Sequence, residues 1–235
     1  MTSSSHFRLL DESRLIASLT ALHDRIDNQF ANSGLGRVAD ELIAVGSEVK
    51  DCAEYLSKPN WPIRILAGAL IAAMFLVLYL AAPPIDLPDG RHKFSDVQSI
   101  AAVFNILAVG SVAVLFLLRL ETNIKRKRAH GVLHQLRSLA HVIDMHQLSK
   151  DPAGRRLPQP EITESPKGAM TPASLGRYLD YCTDLLSLTG KLSALLVQRF
   201  SDDAVLAEVN EIEALTSALS NRIWQKIQLL ERAIT

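Results

Sequence analysis

The sequence predicts an all-α protein: a two-span transmembrane helical hairpin joined to a cytoplasmic helical bundle built from N- and C-terminal helical hairpins. Three observations lead there. Two apolar runs, residues 65–82 and 97–118, flank a short polar loop. Outside them, apolar residues recur three and four positions apart, the period of a helix with one buried stripe. No stretch alternates with the period of two that a half-buried strand needs.

A helix needs roughly 20 apolar residues to cross the ~30 Å hydrocarbon core of a bilayer. The first run supplies 18 residues without a charge, and Ile63 and Trp61 extend it past Arg64, whose long side chain can reach the interface. The second supplies 22, with Gln98, Ser99, Asn105 and Ser111 as its strongly polar side chains. A soluble helical hairpin keeps a polar face toward water, and neither run has one. Residues 61–120 are therefore expected to form a membrane hairpin, with spans at about 63–82 and 97–119.

Basic residues near the spans set the expected orientation. The loop Pro83–Asp96 carries Arg91 and Lys93 among three aspartates. The opposite side carries Lys50, Lys58 and Arg64, then Arg119 and the run Lys125, Arg126, Lys127 and Arg128. Both termini are thus expected in the cytoplasm, with the tetrabasic run as topology signal and headgroup contact. The N-terminus lacks the charged-then-apolar layout of a signal peptide, so span one is expected to serve as the insertion signal.

Each soluble segment has its own pattern. Residues 1–60 should form a helical hairpin. Leu15, Leu19, Leu22, Ile26 and Phe30 stripe a first helix over 7–31, and Gly34 is suited to a left-handed turn after it. Leu35, Val38, Leu42, Val45, Val49, Cys52 and Leu56 then alternate three and four apart, a seam suited to knobs-into-holes packing. Pro59 and Pro62 interrupt the chain before span one. Span two has no proline from Val97 to Lys150, so one helix could continue through 121–150, with Gly131 as its hinge and Val132, Leu133, Leu136, Leu139, Ala140 and Ile143 as its apolar face. The proline-rich stretch 151–172 reads as a linker. A C-terminal hairpin over 173–235 follows, its turn at Ser201, Asp202 and Asp203. Packing the two hairpins together would give a four-helix bundle, unless each seam pairs with another copy.

The 25 basic and 25 acidic residues balance, and no second basic face accompanies the tetrabasic run, so nucleic acid is not an expected partner. Cys52 and Cys182 fall in segments assigned to the cytoplasm, where no disulfide is expected. Phosphate-loop, nucleophile-elbow, paired-cysteine and HExxH patterns are absent, and neither catalytic residue nor cofactor is assigned.

Three groups of residues carry functional expectations. On the helix after span two, His130, His134, Arg137, His141 and Asp144 share a polar face; His134, His141 and Asp144 are the metal candidates, although one straight helix does not close a tetrahedral site. In span two, Gln98, Ala101, Asn105, Ala108 and Val112 make a small-or-polar seam that suits helix association or a pore lining, with Gly68 and Ala72 offering span one a close-contact face. On the first hairpin, Leu42, Val45 and Val49 are the expected assembly residues. Trp224 and Tyr178 are expected to be packing residues.

The segment His134–Pro152 (HQLRSLAHVIDMHQLSKDP) resembles a recurring segment of a bacterial family of small two-span membrane proteins, and the resemblance extends loosely to YLDYCTDLLSLTGKL and IWQKI. It implies a bacterial inner-membrane setting and brings no activity. The layout is also similar to two-span effector domains of bacterial nucleotide-signalling defence systems, in architecture alone. The expected function is a non-enzymatic membrane scaffold or regulator that lies in the lipid bilayer and either homo-oligomerises or docks a cytoplasmic protein. An oligomeric channel gated by the bundle is the second expectation, and a metal-binding or metal-sensing protein the third.

Overall fold

A computed structural model describes residues 9–81, 93–148 and 170–234, and their side chains except at 81, 93–100, 233 and 234. All regular structure among them is helical: α1 (Glu12–Gln29), α2 (Gly34–Ser57), α3 (Trp61–Ala81), α4 (Lys93–Leu148), α5 (Pro172–Arg199) and α6 (Asp203–Ile234). Two helices, α3 and α4, are long and apolar enough to cross a membrane. Most of the expected linker and of the inter-span loop lies outside the described residues.

Helix boundaries follow capping chemistry. α1 starts at Glu12, later than the expected start at residue 7, and the Asp11 carboxylate caps it by accepting the Ser13 and Arg14 N–H groups. Between α1 and α2 the left-handed residue is Asn32 (φ 55°), not Gly34. Asparagine tolerates that conformation, and Ser33 then caps α2 by accepting the Gly36 N–H at 3.1 Å. Gly34 serves a different need: a Cβ there would lie 2.5 Å from the imidazole of His146 on α4. Thr171 caps α5 and Pro172 occupies its first turn, where a missing N–H costs nothing. α4 begins at Lys93, so residues 93–96, expected in the loop, are helical.

The chain divides into two compact units, residues 58–125 and residues 1–57 with 126–235. The second is a bundle of five helices, not four, because the distal half of α4 enters the core. Leu133, Leu136, Ala140 and Ile143 of α4 are fully buried in the cluster that holds Leu19 and Ile26 of α1, Leu42 and Val49 of α2, Leu185 and Leu192 of α5 and Ile212 and Ile223 of α6. Three contacts tie α1 antiparallel to α5: Gln198 bonds both backbone polar groups of Leu10, Arg199 meets Glu12, and the Tyr181 hydroxyl donates to Gln29. Tyr178 is buried, with its ring edge-on to Phe30 at 5.5 Å, the packing role its position suggested.

Gly131 sits inside α4, which runs through it without a break, and nothing lies within 4 Å of where its Cβ would be. Gly131→Ala is therefore expected to stabilise the bundle by about 0.5–1 kcal/mol, since alanine fixes helical backbone at lower entropic cost. Equilibrium chemical denaturation of the two proteins side by side checks this; a loss of stability would mean α4 needs a flexible point there.

Candidate functional site

The functional expectations converge on α4, whose side chains fall into three environments. The polar face of its distal half lies along α6. Arg126 grips Asp202 with two hydrogen bonds, Nε to Oδ1 at 3.0 Å and Nη2 to Oδ2 at 2.7 Å. Further along, His130 meets Glu208, Arg137 meets Glu211, and the buried Gln147 accepts from Lys226 Nζ at 2.7 Å. Each partner lies 74 to 79 residues downstream, so the two helices run parallel with one register.

His134 and His141 are exposed, and the Asp144 carboxylate is engaged by Gln147 and lies 3.9 Å from Arg222. Among the described residues no three His, Cys, Asp or Glu side chains gather as a metal site, so these three are not brought together. Interhelical pairing with α6 takes up the neighbouring His130 and Arg137 instead.

Asp202 both caps α6, accepting the Ala204 and Val205 N–H groups, and holds Arg126. The Arg126 hydrogen bonds, helped by those N–H groups, keep its carboxyl below the usual carboxylate range. A carboxyl depressed on folding stabilises the native state above its unfolded pKa, about 3.9, and that stability is lost as pH falls through the lower folded value. Bundle stability is therefore expected to decline below about pH 4, and less steeply in Asp202→Asn than in wild type. Denaturation midpoints across pH 2–7 measure the difference, and parallel acid limbs would contradict it.

The tetrabasic run is largely committed to internal contacts. Arg126 is bound as above, Arg128 lies 4.5 Å over the Tyr55 ring, and Lys127 is exposed. Lys125 belongs to the other unit and is buried, donating to the Lys58 carbonyl at 2.8 Å and pairing with Glu121 at 3.3 Å. Glu121 is also buried and accepts from the Asn60 N–H and the Arg64 guanidinium. Burial pushes its carboxyl up, but these hydrogen bonds outweigh it and hold Glu121 below the usual carboxylate range. The sequence offered no sign that Glu121 and Asn60 join the basic residues in one cluster.

Within residues 58–125, α3 meets α4 through Ala67 and Met74, with Ile63, Leu70 and Leu78 half-buried beside them. On α4 the half-buried residues between 101 and 120 are Ile106, Gly110, Ala113, Val114 and Leu117, and a Cβ at Gly110 would lie 2.5 Å from the Met74 sulfur. The close approach is thus made at Gly110 against Met74. Gly68 and Ala72, expected to provide it, are exposed, and nothing lies within 4 Å of a Cβ at Gly68.

Asn105 stands on the other side of α4. It is exposed, as are Ala101, Ala108 and Val112, while the side chain of Gln98 lies outside the described residues. Leu42, Val45 and Val49 are buried in the core of the bundle. Cys52 and Cys182 are buried free thiols, both pushed up by burial. Trp224, expected to pack, is 53% exposed at a shallow groove between α5 and α6.

Comparison with protein-family models, curated proteins and solved structures finds no match to this chain. The likeness noted for His134–Pro152 gains no support from them.

Proposed function

We propose that this chain is a non-enzymatic integral membrane protein that spans a lipid bilayer twice and holds a helical bundle at the cytoplasmic face as an oligomerising or partner-docking scaffold. One observation carries the membrane part. The most apolar 18-residue stretches, in the regions of α3 and α4, are only 6% and 0% buried within the protein. A soluble protein encloses such helices in its core; here no other described element covers them, and lipid is the solvent that would.

Side-chain placement supports the same reading. Trp61 and Tyr79, near opposite ends of α3, are 68% and 79% exposed. Eighteen residues of helix separate them by about 27 Å, the spacing of the two interfacial belts where amphipathic aromatics collect. Glu121, Lys125 and Arg64 gather beside the Trp61 end, where charged groups leave hydrocarbon. The basic residues on that side favour a cytoplasmic bundle and cytoplasmic termini, because the sign rule acts on charge during insertion whether or not the side chains later pair.

An alkaline carbonate wash of membranes from expressing cells tests the proposal. The full chain should stay in the pellet, whereas a variant with aspartate at Leu76, Val109 and Phe116, all exposed, should be released or degraded. Wild-type chain in the supernatant would refute membrane insertion.

A further inference from the structure

Resting on the membrane reading above, we infer that a second copy of this chain docks on the Asn105 face of α4, so that the two spans pair through an amide–amide contact inside the bilayer. The face is set by geometry. At 100° per residue, Ala101, Asn105, Ala108 and Val112 lie about 140° around α4 from the residues that meet α3. Asn105 makes no hydrogen bond in the described structure, and in hydrocarbon there is no water to provide one. α3 therefore does not serve it.

Exposure along the apolar half supports the same face. Positions 101, 105, 108, 112, 115 and 119 alternate four and three apart, and every one of them is exposed. A strict 3–4 alternation is the pattern of a helix that packs lengthwise on another at a shallow angle. Among the described residues no helix covers this face.

The occupant follows from chemistry. A carboxamide offers two donors and one acceptor oxygen, so a copy of the same face related by a two-fold axis presents what Asn105 lacks. Ala101 and Ala108, one turn away on either side, keep the backbones close enough for the two amides to meet. A partner with a wholly apolar span would leave the amide unsatisfied.

Cysteine cross-linking in native membranes tests this directly, because Cys52 and Cys182 are buried and contribute no background. Single variants Ala101→Cys, Ala108→Cys and Val112→Cys should form dimers at twice the chain mass under mild oxidation, while Ile106→Cys and Leu117→Cys, on the α3 side, should not. In liposomes, Asn105→Leu should weaken dimerisation about tenfold by energy transfer between labelled chains, and Asn105→Gln should retain most of it. Equal cross-linking at all five positions, none at any, or a cross-linked product of another mass would overturn the inference. So would an undiminished dimer in Asn105→Leu. Release of wild-type chain by the carbonate wash marks failure of the membrane reading itself; a retained chain without cross-links marks failure of this inference alone.

Discussion

Replacing Leu136 by alanine is expected to destabilise the bundle by about 2–5 kcal/mol, the largest single effect foreseen here. Leu136 lies on the distal half of α4 with no exposed surface, in the same core as α1, α2, α5 and α6. Removing its branched end leaves a cavity that five mutually packed helices cannot collapse to fill. Leu136→Met keeps the volume and should cost under about 1.5 kcal/mol. Denaturant unfolding of the full chain in detergent, followed by circular dichroism, measures both. If Leu136→Ala unfolds like wild type, the distal half of α4 is not part of the core, and the bundle has four helices.

The second large effect is expected at Glu121. Glu121→Ala should cost about 3 kcal/mol, because it removes the buried carboxylate that pairs with Lys125 and accepts from the Asn60 N–H. Arg64, 58% exposed at its side chain, loses the same partner but can turn to water or to lipid phosphate. Glu121→Gln keeps an acceptor for the Asn60 N–H and should cost less. Unfolding of α3 and α4 by increasing SDS in mixed micelles reads out this pair of variants. Equal stability of wild type and Glu121→Ala would mean that solvent or headgroups already screen the cluster.

Both effects stand on residues that the sequence presents unequally. Leu136 was legible: the spacing Leu133, Leu136, Ala140 and Ile143 announces a buried stripe, as does the seam from Leu35 to Leu56. Such patterns are local, and the helices they predict are those observed. What closes a stripe is not local. Leu42, Val45 and Val49 carry a seam that would suit a second chain equally well, and only the assembled bundle turns it inward. The polar face from His130 to Asp144 looked like a solvated or metal-binding surface because its partners on α6 lie more than seventy residues away. Glu121 belongs to the same class, since its meaning depends on Asn60 and Arg64 across a turn and a whole hairpin. Trp224 shows the converse: a large aromatic at an apolar-looking position, left outside by the rotation of α6.

These placements give α4 a consistent physical logic. One helix of 56 residues has an apolar half that, among the described residues, meets α3 on one side and is otherwise exposed, and a distal half that ion pairs and a core stripe fasten to four other helices. The joint between them lies in the basic run, where Arg126 and Arg128 are held by Asp202 and Tyr55 and Lys125 by Glu121.

The most direct test of the account is the sidedness of three introduced thiols toward a membrane-impermeant maleimide. In sealed inside-out vesicles, Ser47→Cys on α2 and Ser217→Cys on α6, both exposed positions, should label without permeabilisation. Asp89→Cys, between α3 and α4, should label only after the vesicles are opened. That pattern is the prediction of a chain that crosses the bilayer twice with its bundle in the cytoplasm. Labelling of all three from one side of intact vesicles would contradict it.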